Sequence, residues 1–202
     1  MIEIIKDVDI VDHFSEYDVI LIGTNTYCSM GNGVQLAVML DYPYVYNKNL
    51  ETKYGDPRKM GTTLECKEEG QPTFCLCFIC KGYNFRPDIS KEYLSYESLE
   101  KCLQLVNILY KGKKVATTLL GASRFDGNGD RDKILDIFNK TITDIDLTIY
   151  DYYQKSRHEI VTEIYWKEQE VREKDYEAYH QMVKERKEMW EERFKKNGHR
   201  RS

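Results

Sequence analysis

The sequence predicts an α/β domain with a mixed or mostly parallel sheet and helices on both faces. Three observations support this. Strand and helix signals alternate through residues 1–152. Two buried-strand runs each end in a glycine-containing loop that leads into a helical pattern. From residue 153 the chain changes to charged helix formers, with no Gly or Pro until Gly198. The expected organisation is therefore a domain over 1–152 and a helical extension over 153–202.

The elements follow in order. Ile2–Ile5 is a short β-type start, and YDVILI (17–22) is a buried-strand run. A helix begins with Val34–Leu40. Residues 43–62 carry Pro43, Gly55, Pro57 and Gly61 and read as loop. TFCLCFIC (73–80) is a buried strand. Ser95 is placed to cap a helix whose apolar positions are Leu99, Leu103 and Val106, reaching Tyr110. KVATTLL (114–120) is another strand, and 121–129 is the second glycine-containing loop. Asp130 caps a helix with Ile134, Leu135, Ile137 and Phe138 on its apolar face. Leu147–Tyr150 closes as a strand. The extension carries 12 Lys/Arg and 11 Asp/Glu from Arg157 to Ser202, so it is nearly neutral and densely charged. Val161, Ile164, Tyr165, Val171 and Tyr176 begin an imperfect stripe at three- and four-residue steps. The expectation is a long amphipathic helix, laid on its own domain or solvated, or used for a protein partner or self-association.

Composition narrows the function classes. The net charge of −4 gives no general attraction for nucleic acid. No apolar run has the length of a membrane span, and MIEIIKDVDIVD does not read as a signal peptide. A soluble, cytoplasmic protein with no membrane partner is expected. The cysteines of FCLCFIC have no second Cys or His pair beside them in sequence, so they read as buried strand thiols rather than metal ligands. Neither a metal nor a cofactor is expected. Sixteen tyrosines are many, and tyrosines often line ligand clefts.

The two loops hold the chemistry. SMGNGV (29–34) joins a strand to a helix start. The first turn of a helix has unbonded N–H groups and a favourable dipole for anions, and glycine permits close backbone approach. Gly31-Asn32-Gly33 therefore suits a phosphate, although many ordinary strand–helix turns contain two glycines. It is neither a Walker loop nor a dinucleotide fingerprint. The second loop, GASRFD (121–126), offers small residues at Gly121, Ala122 and Ser123. Arg124 is suited to a phosphate, Phe125 to stacking on a sugar or base, and Asp126 to general-base work. The alternative is a surface arginine and a tight turn at 126–129. In open α/β sheets such loops gather at the strands' carboxyl ends, where ligands bind.

At these residues the chain resembles the macrodomain family, which binds ADP-ribose. The resemblance covers about residues 1–152. Asp9-Ile10 is similar to the family's adenine-contacting element. Tyr17–Asn25 is similar to the strand ending at a ribose-binding asparagine. Ser29–Pro43 and Thr117–Phe125 are similar to its two phosphate loops, and Leu147–Tyr152 to its last strand. Two branches are nearest: the ADP-ribose-1″-phosphate phosphatases, through the first loop and Lys53–Gly61, and the terminal ADP-ribose protein glycohydrolases, through MGNGVQLAVML and Ser95–Leu103. The glycohydrolase lysine falls at Tyr93, with Lys91 two residues earlier. The phosphatase histidine falls at Ile22, and a second-loop glycine at Ser123.

The resemblance implies a three-layer α/β/α domain whose ligand residues are Asp9, Ile10, Asn25, Ser29, Met30, Gly31, Asn32, Gly33, Val34, Gly121, Ala122, Ser123, Arg124, Phe125, Tyr150 and Tyr152. It implies binding of ADP-ribose or an ADP-ribosylated substrate. It also implies hydrolysis of a group at the distal ribose, with Asp126, Asn25 and Lys91 as catalytic residues. The alternative is a non-catalytic reader or sequestering protein for ADP-ribose or a related nucleotide. Nucleic acid is expected only as an ADP-ribosylated substrate.

Overall fold

The computed structural model describes residues 1–31, 33–82, 91–123 and 127–151, together with residues 181, 184, 185 and 188. Contacts divide the chain into Met1–Gln154 and Lys155–Ser202. Among the described residues the first unit contains six strands: β1 (Ile2–Lys6), β2 (Val19–Asn25), β3 (Thr63–Cys66), β4 (Thr73–Cys80), β5 (Lys114–Thr118) and β6 (Asp146–Asp151). They form one sheet in the order β1-β6-β5-β2-β4-β3. Every neighbouring pair is parallel except β3–β4, which places an antiparallel strand at one edge.

The two-residue alternation of each strand builds two cores. Val19 and Leu21 of β2 face the same side as Cys75, Cys77 and Ile79 of β4 and Leu147 and Ile149 of β6. That side is covered by α3 (Tyr96–Leu109), through Leu99, Leu103 and Val106, and by α4 (Arg131–Thr141), through Ile134 and Phe138. Ile20, Ile22, Phe74, Leu76, Ala116 and Tyr150 face the other side. There they meet Val38 of α1 (Gly33–Asp41), Val45 of α2 (Pro43–Leu50), and Ile10 and Phe14 of a 3-10 turn, Ile10–Glu16. Burial on both faces explains why β2 and β4 are continuous apolar runs. The three-layer α/β fold with a mixed sheet is the one expected.

The caps match the sequence. Ser95 accepts the Ser98 N–H at 3.2 Å, and Asp130 accepts the Asp132 and Lys133 N–H groups at 3.0 and 3.1 Å. Both side chains satisfy otherwise unbonded first-turn donors. Cys75, Cys77 and Cys80 lie buried in β4 as free thiols. Several elements depart from expectation. Residues 43–50 form α2 rather than loop, because Pro43 sits at the helix's first position, where its missing N–H costs nothing. Val45 and Asn49, four residues apart, carry its buried face. The edge strand β3 and the 3-10 turn Ile10–Glu16 also lie where no regular element was expected. β2 runs on to Asn25 and β5 stops at Thr118. The expected C-terminal helix lies outside the described residues, apart from Gln181, Lys184, Glu185 and Glu188, which are helical and exposed.

Candidate functional site

The ladder between β2 and β5 ends at Leu21–Thr117, although β2 continues beside β4 as far as Asn25. The chain after β2 then enters α1 on one face of the sheet, and the chain after β5 enters α4 on the other. Two adjacent parallel strands whose connections leave in opposite directions define a topological switch point. In open α/β sheets the ligand crevice lies outside the strand carboxyl ends at that point. The two loops singled out in the sequence flank it.

The first loop is folded by its own side chains. Asn25 is 8% exposed. Its Oδ1 accepts the Tyr27 N–H at 3.0 Å and the Ser29 N–H at 3.3 Å, and its Nδ2 donates to the Ser29 carbonyl at 2.9 Å. Both Oδ1 lone pairs are thereby used. Thr26 donates its hydroxyl to the Lys81 carbonyl, tying the loop to the end of β4. Tyr27 sets its ring edge-on to Tyr54, with centroids 5.1 Å apart. Met30 is buried in the core, whereas Ser29, Gly31 and Gly33 are exposed. Gly33 opens α1 at φ +49°, a conformation that favours glycine. An added Cβ at Gly31 or Gly33 would meet nothing within 4 Å, so packing does not demand a glycine at either position. What their smallness provides is open access to the backbone at a helix N-terminus.

The second loop is built differently. Gly121 has φ +79°, and a Cβ there would lie 2.6 Å from Leu94. A Cβ on Gly127 would lie 2.4 Å from the Gly121 carbonyl oxygen. The turn is closed by Gly129 N–H to the Gly121 carbonyl (2.9 Å) and by Gly127 and Asn128 N–H groups to the Ser123 carbonyl (3.1 and 2.8 Å). The segment before α3 is fastened to it. Tyr93 and Leu94 donate their N–H groups to the Gly127 carbonyl, and Asn128 Nδ2 donates to the Lys91 carbonyl at 3.2 Å. Tyr96 donates its hydroxyl to Glu92 and accepts the Asp130 N–H at 2.8 Å. Burial, then the Glu92 carboxylate, raises its pKa. These bonds bring exposed Lys91 to the second loop. A cavity of about 420 Å³ lies beside it, lined by Lys81 and residues 92–97.

The remaining predicted residues divide into four groups. Asp9 caps the 3-10 turn by accepting the Val11 N–H at 3.1 Å, with Ile10 buried beneath it. Val34, Ala122 and Ser123 stand at the two loops, partly or fully exposed. Tyr150 is 2% exposed. Its hydroxyl meets that of Tyr17 at 2.9 Å, and its ring stacks on His13 at 5.5 Å. Burial followed by the Tyr17 contact raises its pKa. Asn32, Arg124, Phe125, Asp126 and Tyr152 lie outside the described residues. Among the described residues, no three His, Cys, Asp or Glu side chains are grouped to hold a metal. Sequence reasoning did not single out Tyr27 or Tyr96, and gave Gly127 only as part of a tight turn, although all three hold the loops in place. Their partners at Tyr54, Glu92 and Gly121 become visible only in the fold.

No protein-family profile matches the chain, and no curated protein matches it. Solved structures do. The macrodomain of Thermus aquaticus DarG is 13% identical over 76% of this chain and 99% of its own, with a TM-score of 0.55. A macrodomain protein from Streptomyces coelicolor is 15% identical over 76% and 100%, at 0.53. Thermosipho africanus DarTG, solved in complex with ADP-ribose, is 18% identical over 75% of this chain and 42% of its own, at 0.55. At these identities the likeness speaks to architecture. The N-terminal unit of this chain has the macrodomain fold.

Proposed function

We propose that the crevice between the β2 and β5 loops binds ADP-ribose. The switch point carries this reading: adjacent strands stop pairing at Leu21–Thr117, and their loops part to opposite faces. The open backbone at Gly31 and Gly33 supports a diphosphate there, held by N–H groups at the start of α1. Asp9 and Ile10, just past the carboxyl end of β1, suit the adenine end. The amide proton of Asn25 Nδ2 that does not point to Ser29 suits a ribose hydroxyl. The DarTG complex with ADP-ribose shares this fold.

The reading extends to chemistry at the distal ribose, by removal of a 1″-phosphate or of an ADP-ribosyl acceptor. Adenosine and diphosphate binding would fix the reacting carbon near the second loop. Asp126 would deprotonate or orient the nucleophile, and Lys91, tied to that loop by Asn128, would serve as a covalent or electrostatic partner. A second reading, a reader without turnover, is favoured by one observation. Asn25 Oδ1 is already taken by two N–H groups of its own loop.

The test incubates the protein with ADP-ribose-1″-phosphate, an ADP-ribosylated protein and ADP-ribosylated DNA, and separates the products. Turnover should appear with one of them and vanish in Asp126→Ala, while that variant still binds ADP-ribose. Binding with no turnover of any substrate would favour the reader. Turnover unchanged in Asp126→Ala would remove that residue from the mechanism.

A further inference from the structure

Cys28 stands apart from the other cysteines. Cys66, Cys75, Cys77, Cys80 and Cys102 sit in strands or in the core-facing side of α3, and burial pushes the Cys66 thiol up to about 12. Cys28 instead lies in the first loop, three residues after Asn25, at φ +57°. A non-glycine residue rarely adopts that backbone region, and surrounding structure must hold it there. Its sulfur is 3.2 Å from Lys59 Nζ, 3.4 Å from Thr52 Oγ1 and 3.3 Å from the Asn49 carbonyl oxygen. Lys59 Nζ is fixed from two further sides. It donates to Thr52 Oγ1 at 2.9 Å, and it lies 4.9 Å from the centre of the Phe78 ring. Cys28 is 3% exposed and Lys59 half-buried, so small molecules reach the pair more readily than bulky thiols do. A thiol and an amine are thus held in contact, from opposite sides of the first loop and the 3-10 turn Pro57–Lys59.

We propose that Cys28 and Lys59 form an oxidative cross-link in which one oxygen bridges sulfur and nitrogen, S–O–N, when the protein meets hydrogen peroxide. The first peroxide oxidises the thiol to a sulfenic acid and leaves as one water. The Lys59 ammonium then releases a proton. The sulfenic oxygen bonds to nitrogen, replacing one N–H and its own O–H, and the second peroxide accepts the two electrons and leaves as two waters. In total, one thiol, one ammonium and two peroxides give one bridge, three waters and one proton. The bridging oxygen suits the observed separation. A direct bond would require sulfur and nitrogen to close from 3.2 Å to below the length of a disulfide, about 2 Å. Exclusion of bulky thiols disfavours the competing mixed disulfide. The bridge joins the first loop covalently to the turn at 57–59, and a small reductant opens it by supplying four electrons and four protons, which restores the thiol and the amine and releases one water. It is a modification site independent of any ligand, so it stands or falls separately from the ADP-ribose reading.

The experiment treats the purified full chain with hydrogen peroxide and reads intact mass and a proteolytic map. The expected product is heavier by about 14 Da, one oxygen gained and two hydrogens lost. The map should join the peptide containing Cys28 to that containing Lys59, and reductant should restore the starting mass. Lys59→Arg keeps the positive charge but lacks the amine, and it should give no joined peptide, as should Cys28→Ser. Because the map of the unaltered chain locates the bond directly, the result does not depend on how well the variants fold. Addition of whole oxygens at Cys28 with Lys59 unmodified would overturn the proposal. So would an unmodified Cys28, or the same joined product from Lys59→Arg.

Discussion

Gly31 meets open space and Gly127 faces the Gly121 carbonyl at 2.4 Å, measured to an added Cβ. Gly31→Ala should therefore change stability by no more than about 0.5 kcal/mol. It should nonetheless weaken ADP-ribose binding about tenfold or more, because the methyl group would obstruct backbone approach to a phosphate. Gly127→Ala should instead cost about 1–3 kcal/mol, since its neighbour is backbone and cannot rotate away. Denaturant melts and calorimetry on both variants check the pair. A destabilised Gly31→Ala that binds normally would mean the first loop's glycines serve the fold. In the sequence both loops offered the same signal, small residues after a strand. Only the neighbours at Leu94 and Gly121 distinguish an open glycine from a packed one. Asn25 likewise was legible as the residue ending β2. That its Oδ1 closes the loop over Tyr27 and Ser29 depends on the loop's path.

At the level of elements, periodicity and caps carried most of the fold. β4 spans the residues its composition marks, and Ser95 and Asp130 start α3 and α4. Helix α2 was hidden because Pro43 reads as a breaker unless it is recognised as a first-turn residue. β3 was hidden because an edge strand of four residues, half exposed, has little period to detect. The turn at 57–59, which carries Lys59, has its own cap. Asp56 accepts the Arg58 N–H at 2.9 Å and pairs with the Arg58 guanidinium at 2.6 Å. The Arg58 side-chain bonds, then its backbone N–H, hold the Asp56 carboxyl well below the usual carboxylate range. A carboxyl depressed in the folded state adds stability above its unfolded value, about 4, and loses it as pH falls towards the folded value. Asp56→Asn should therefore melt lower than the parent at pH 7. The gap should stay constant down to about pH 5 and shrink below about pH 4. Thermal melts of both proteins across that range read the effect, and a gap independent of pH would show that the charge of Asp56 contributes nothing.

At the scale of the whole N-terminal unit, the sheet is covered on both faces, and the loops after β2 and β5 leave its carboxyl ends to opposite sides. The fold was legible because an alternating order of strand and helix has few compact solutions. The candidate site was proposed from the sequence as two loops, but their separation to opposite faces of the sheet is a property of strand order, which the sequence does not display. The diphosphate ligand proposed for these loops rests on the open backbone at Gly31 and Gly33 and on the parting of the two loops. The chemistry proposed at the distal ribose would rest on Asp126 and Lys91 and is tested separately by turnover. The most direct measurement of the central claim is isothermal calorimetry of the full chain with ADP-ribose, with AMP and ribose 5-phosphate as partial ligands. Saturable binding at one site is expected, at micromolar affinity or about −8 kcal/mol, with each fragment binding much more weakly. Absence of heat and of any thermal shift with ADP-ribose, in protein that melts cooperatively, would contradict it.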